Sequence, residues 1–177
     1  MFSLDDKVLD HDETVFGDFA VYTGDDIAGK NAVADFFHDY WHALQKDGRL
    51  PARADINPPD LARFIDHTVL MDVVPTEDAF QLIVRLIGTF VVEHYGEISG
   101  KDIADMRNPK AIQRIYHMAG LVLETNEPQL TLTPAFAPNR KHMEGVALYL
   151  PLYDDAGTIN KIMVAVDVRS LSNRTQG

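Results

Sequence analysis

Few residues of this 177-residue chain stand at spacings that chemistry could use. His38 and His42 lie one helical turn apart, so a helix would hold both imidazoles on one flank, as a two-ligand metal face requires. No third ligand and no catalytic Glu stands in a matching motif beside them, and histidine pairs at this spacing are common on surfaces, so no metal is expected. Asp10 and Asp12 have the spacing that opens a calcium loop. Position 15, however, is Val where the sharp turn needs Gly, and no bidentate Glu follows. Ser99 sits in GEISG, which is not the strand-to-helix elbow of a nucleophilic serine. The glycines around it lack the Lys-Ser/Thr that completes a phosphate loop. There is no cysteine, which removes disulfides, thiol catalysis, Cys-ligated zinc and iron–sulfur clusters together. Arg53 and Asp55, two apart in an extended segment, read as a local structural ion pair. No catalytic residue emerges, and the chain reads as a protein that is not an enzyme.

That leaves Arg85, the charge inside the most apolar run, LIVRLIGTFVV. Side chains of a strand alternate, so Leu82, Val84 and Leu86 share one face and Gln81, Ile83, Arg85 and Ile87 the other. Apolarity alone turns the first set inward and leaves Arg85 outside, beneath an N-terminal helix. Turned inward, Arg85 would need a carboxylate or a bound anion, because an arginine cannot shed its charge.

The elements that must position these residues follow from composition and period. An apolar fraction of 46% suits one globular domain with a real core. A net charge of −11 repels phosphate, which argues against nucleic-acid partners and anionic membrane surfaces. The first residues are acidic and carry no secretory signal, and no apolar run is long enough for a membrane span; a cytoplasmic protein is expected. Residues 1–28 read as an acidic, irregular arm, 29–170 as the domain, and 171–177 as a tail. From Asn31, Val33, Phe37, Tyr40, Trp41 and Leu44 form one apolar helical stripe that Gly48 is placed to end. Such an aromatic stripe must be covered. A homodimer contact through Phe37, Tyr40, Trp41 and Leu44 is the expected cover.

Asn57-Pro58 and Asn108-Pro109 are helix starts, with a side-chain cap followed by a residue that needs no N–H partner. The first should open a short helix to Asp66. The second should open a longer one with Ile112, Ile115, Tyr116, Ala119, Val122 and Leu123 on its broad apolar face, stopping near Glu127-Pro128. Residues 68–74 and 79–88 are β-rich and joined by a turn, so they predict a hairpin. Residues 129–138, 143–154 and 158–170 predict three further strands, neighbours because their links are short. Between the two groups, RLIGTFVVEHYGEISGKD hands a strand to short helical turns punctuated by glycine.

Two strands, short helices, one longer helix and three strands is the order of a PAS domain. The segments LPARADINPPDLARFI, RLIGTFVVEHYGEISGKDIADM and EGVALYLPLYDDAGTINKIMVAV resemble the short stand-alone bacterial PAS family common in alphaproteobacteria. The shared positions are Arg53, Asp55, Arg85, Gly88, Thr89, Gly96, Gly100, Leu150, Pro151 and Leu152, across about residues 35 to 168. The resemblance implies an α+β fold: a five-stranded antiparallel sheet with helices on one face, a small cavity between them, and here an extra N-terminal helix.

The resemblance also implies a role in sensing or adaptor signalling. A photo-adduct flavin is excluded, since that chemistry needs a cysteine. Haem would need an axial ligand, for which His117 is the candidate; a core-edge or solvent-facing histidine is the expected state, and no cofactor is expected. The family pattern turns the residue before the strand exit into the cavity, which would take Ile87, and Arg85 with it, inward. Arg85, Ile87, Tyr95, Tyr116 and Tyr149 are then the expected ligand contacts, and a small acidic metabolite the expected ligand. Two other readings stand beside this one. One is an adaptor that binds a signalling protein without a ligand; the other is a small α+β cone enzyme using a carboxylate and a tyrosine.

Overall fold

Six antiparallel strands form one sheet in this computed structural model, which describes residues 19–134 and 142–171. The first eighteen residues of the expected arm, the link at 135–141 and the tail from 172 onward lie outside the described residues. In chain order the strands are β1 (Ala20–Thr23), β2 (Thr68–Pro75), β3 (Phe80–Ile87), β4 (Gln129–Pro134), β5 (Met143–Tyr153) and β6 (Ile159–Ser170). Side by side they run β1-β4-β5-β6-β2-β3. The last five are the predicted ones. β1 is an addition, drawn from what the sequence suggested was irregular arm. Its AVYT pairs with Gln129–Leu132 and so covers the open edge of β4. Four residues are too few for a period to be read, and only the waiting edge selects them.

Among the described residues three α-helices flank the sheet: α1 (Ala32–Ala43), α2 (Thr89–Tyr95) and α3 (Pro109–Thr125). Of the two predicted caps, Asn108 operates, accepting from Lys110 and Ala111, whereas the Asn57 side chain makes no cap bond. Asn31, not foreseen as a cap, accepts from the Ala34 N–H at 3.0 Å. The helix expected from Asn57 to Asp66 is instead two 3-10 turns, Pro58–Leu61 and Ile65–His67. A segment this short, with two adjacent prolines, forms isolated turns more cheaply than it nucleates an α-helix.

The two sheet faces carry different layers. On β5, Gly145, Ala147 and Tyr149 look toward α2 and α3, whereas Val146, Leu148, Leu150 and Leu152 look toward α1. α1 crosses β5 and β6, where Phe37 and Trp41 are 0% and 3% exposed. The Trp41 indole N–H donates to the Pro151 carbonyl at 2.8 Å, and the Asn31 amide donates to Asp167 at 2.9 Å. Of the residues expected at a homodimer contact, Phe37 and Trp41 are covered by the chain's own sheet, and Tyr40 and Leu44 are half-buried at its edge.

Between β2 and β3 the register slips: Leu70 pairs with Leu86, but Met71 pairs with Val84. Arg85 is the extra residue of a β-bulge, which breaks the alternation. Leu82 and Val84 therefore stay buried on the inner face, Ile87 returns to that face, and Arg85 and Leu86 are both exposed. At the strand exit, Gly88 leaves no room for a side chain. A Cβ there would lie 2.1 Å from the Asp66 carbonyl oxygen. α2 then ends at Gly96, whose φ of +92° suits glycine. The returning chain pairs Gly100 and Lys101 with Val84, covering the free edge of β3.

Candidate functional site

The inner sheet face, α2 and α3 enclose a cavity of about 50 Å³. A single water needs roughly 10–15 Å³ on this measure, so the space suits several waters or a small organic molecule. Its walls are mostly apolar: Val69 and Met71 from β2, Ile87 from β3, Val91 from α2, Ile115 from α3, and Val164 and Val166 from β6. Polar groups enter at one side only. They are Tyr95 of α2, Arg114 of α3, Thr131 and Thr133 of β4, and Tyr149 of β5.

Arg114 is the charged residue among those lining the cavity, and it is 5% exposed. Neither a hydrogen bond nor an ion pair reaches its guanidinium among the described residues. Tyr149 is 2% exposed. Burial pushes its hydroxyl above the usual phenol range, the Arg114 charge pulls it back, and Tyr95 adds a smaller push upward. The Thr131 hydroxyl donates to the Ala147 carbonyl of the neighbouring strand at 3.4 Å.

Of the residues expected to meet a ligand, Ile87, Tyr95 and Tyr149 line the cavity, and two do not. Arg85 lies on the outer face, where its Nε donates to Asp72 at 2.5 Å and its side chain is 54% exposed. The bulge explains how Ile87 can face inward without it. Asp72 also meets Lys161. Burial raises the Asp72 carboxyl, but the bonds from Lys161 and Arg85 outweigh this and hold it below the ordinary aspartate value. Tyr116 is the second exception. Its hydroxyl accepts the Leu82 N–H at 3.1 Å and donates to Asp102 at 2.5 Å, tying α3 to β3 and to the glycine loop. Burial, then the bond to Asp102, push that hydroxyl's pKa up.

Sequence reasoning missed Arg114. The signal was present, since Ala111, Arg114, Met118 and Val122 are spaced three, four and four apart along the most buried stripe of α3. The predicted face, centred on Ile112, Ile115 and Ala119, is rotated from this, and the charge interrupting the stripe was passed over.

The remaining candidates play smaller parts. Asp55 pairs with Arg49 at 3.0 Å and accepts the Ala52 N–H at 2.8 Å, so the expected Arg53–Asp55 pair does not form. Arg53 instead borders a second, outer-face pocket of about 50 Å³ with Ile65 and Leu86. His38 and His42 meet through their Nε2 atoms at 3.1 Å on the surface of α1. Among the described residues no three His, Asp or Glu side chains gather as a metal would require. His117 packs edge-on to Phe19 and is not among the cavity-lining residues. No helix among the described residues is long and apolar enough to cross a membrane.

Comparison with curated protein sequences finds no match. Among solved structures, the chain is similar to an RNA-binding light-oxygen-voltage receptor at a TM-score of 0.46 and 10% identity. That likeness covers 90% of this chain and 40% of the receptor, so the chain spans well under half of the receptor's length. It is also similar to a sensory box sensor histidine kinase from Vibrio cholerae, at a TM-score of 0.38 and 15% identity, covering 63% of this chain and 90% of that one. A family model described as PAS domain matches residues 30–166, from the residue before the Asn31 cap to the middle of β6. With well over half of its length matched, this chain belongs to the PAS domain family.

Proposed function

We propose that this protein is a sensory signalling domain that binds a small molecule in the cavity between sheet and helices and does no chemistry on it. The observation that carries the reading is the cavity itself: apolar walls with polar groups converging from one side, the usual form of a small-molecule site. The polar lining is one guanidinium, two phenols and two threonine hydroxyls. These groups bind and orient; no carboxylate or imidazole stands among the described lining residues to move a proton. α2 and the glycine loop form the wall opposite the sheet. They are short and joined by Gly96 and Gly100, so occupancy has a pliable element to act on.

Two measurements test this. Native mass spectrometry of freshly purified protein is expected to reveal a co-purifying small molecule, or an empty fraction that added compounds convert. Methyl NMR under xenon pressure is expected to shift the signals of Met71, Ile87 and Val166, because apolar cavities of this kind admit xenon. No bound molecule together with no xenon response would mean a closed core, and the ligand-binding reading would fall.

A further inference from the structure

We propose that the cavity takes a small monocarboxylate with an apolar tail, its carboxylate held by the guanidinium of Arg114. The proposal rests on the reading of the cavity as a ligand site and names the class of ligand. The starting point is an imbalance of charge. Arg114 is 5% exposed, keeps its charge in any protein environment, and has no acid partner among the described residues. A buried charge left this way is strongly unfavourable, and an anion in the adjoining space removes the penalty.

The rest of the lining narrows the class. The guanidinium presents a planar fork that a carboxylate meets with two parallel hydrogen bonds. The Tyr149 hydroxyl, buried and within the influence of the Arg114 charge, is placed to donate a further one. Beyond these groups the walls are Met71, Ile87, Val91 and Val164, which solvate a hydrocarbon tail but not a second charge. Arg114 is the one cation among the described lining residues, so one carboxylate is matched and a dicarboxylate is not. A volume of about 50 Å³ limits the tail to a few carbons.

The experiment compares butyrate with butanamide, the same skeleton without charge, by calorimetry on the full chain. Butyrate is expected to bind about ten-fold or more tighter than butanamide, from charge-assisted bonding. Arg114→Met should erase that preference while methyl NMR shows the fold retained, and Arg114→Lys should restore only part of it, since the charge remains but the fork is lost. Equal binding of the two compounds would overturn the proposal, and so would binding of neither. Chloride or phosphate displacing butyrate at equal concentration would also overturn it, by showing that a bare anion satisfies Arg114. Xenon uptake in any of these cases would leave the cavity as a ligand site of another class, which separates this failure from failure of the ligand-binding reading.

Discussion

On the outer face of the sheet, Arg169 meets Glu144 at 2.7 Å, although the Glu144 side chain is 0% exposed. The same guanidinium donates to the Lys30 carbonyl, and toward the other end of β6 Asp72 takes both Lys161 and Arg85. On the inner face, Arg114 is 5% exposed, and among the described residues no acid answers it. The outer face answers its buried and half-buried carboxylates within the chain: Glu144 and Asp72 by cations, and Asp167 by the Asn31 amide. The inner face leaves the one charge that lines the cavity without an acid partner among the described residues, which is the ground of the proposed site. Buried charge by itself says little about function, because a paired charge is a structural part. A buried charge facing a cavity without a partner is what distinguishes a site from a scaffold.

Removing one arginine from each face should break or confirm this contrast, and the outer one carries the largest effect. Arg169→Met takes the guanidinium from a carboxylate that water does not reach. Breaking a buried pair costs roughly 3–5 kcal/mol. Arg169 is itself 26% exposed, so the lower end, about 3 kcal/mol, is expected in urea denaturation. Arg114→Met should have the opposite sign in ligand-free protein. It replaces an uncompensated charge with an apolar chain of similar length, and stability should hold or rise by about 1 kcal/mol. A loss of about 2 kcal/mol or more at Arg114 would show that the charge is satisfied inside the protein, and the two faces would no longer differ.

Tyr116→Phe sharpens the contrast within a single helix. Two residues beyond Arg114, its hydroxyl is fully engaged by Leu82 and Asp102. Phenylalanine would leave a strand N–H and a carboxylate each short of a partner, at about 1–2 kcal/mol in total. Because that hydroxyl ties the glycine loop to α3, hydrogen exchange should also quicken at the Gly100 and Val84 amides, which donate to the Val84 and Lys101 carbonyls alongside. Unchanged exchange would mean the loop is held by its backbone bonds alone. Butyrate affinity should change far less than with Arg114→Met.

How much of this was legible in the sequence depends on whether a signal was local. The cap at Asn108 and the strands of the closing meander are local features, and each is found as read. Ile87, Tyr95 and Tyr149 were reached as cavity residues. What failed depended on more than one element. The bulge at Arg85 arises from the pairing of β2 with β3, and no property of either strand announces it. The aromatic stripe of α1 did demand a cover, but sequence cannot say whether the cover is the chain's own sheet or a second copy. Strand β1 exists only because β4 has an open edge. Arg114 was the one non-local feature with a local trace, a charge in the register of an apolar stripe, and its exclusion from the predicted face was an error of helical phase.

The smallest effect is expected where sequence reasoning placed the greatest, at Arg85. Its pair with Asp72 is half in water, and exposed ion pairs contribute about 0.2–1 kcal/mol, so Arg85→Met should shift stability by no more than that and leave butyrate binding unchanged. The pair should still leave a trace in acid. Asp72 is held below its ordinary value of 3.8, so the folded state binds fewer protons than the unfolded state. A depressed carboxyl contributes stability that is full above the unfolded value and is lost as pH falls through the folded one. Wild type should therefore exceed Asp72→Asn in stability at pH 7, with the gap narrowing below about pH 4. Arg85→Met should weaken this acid sensitivity without abolishing it, because Lys161 still bonds Asp72 from the adjoining strand. A gap that stays constant down to pH 2 would show that Asp72 acts through shape and packing rather than charge. A loss of butyrate binding with Arg85→Met would return Arg85 to the ligand, and the division between a finished outer face and an open inner one would fail at its best-defined residue.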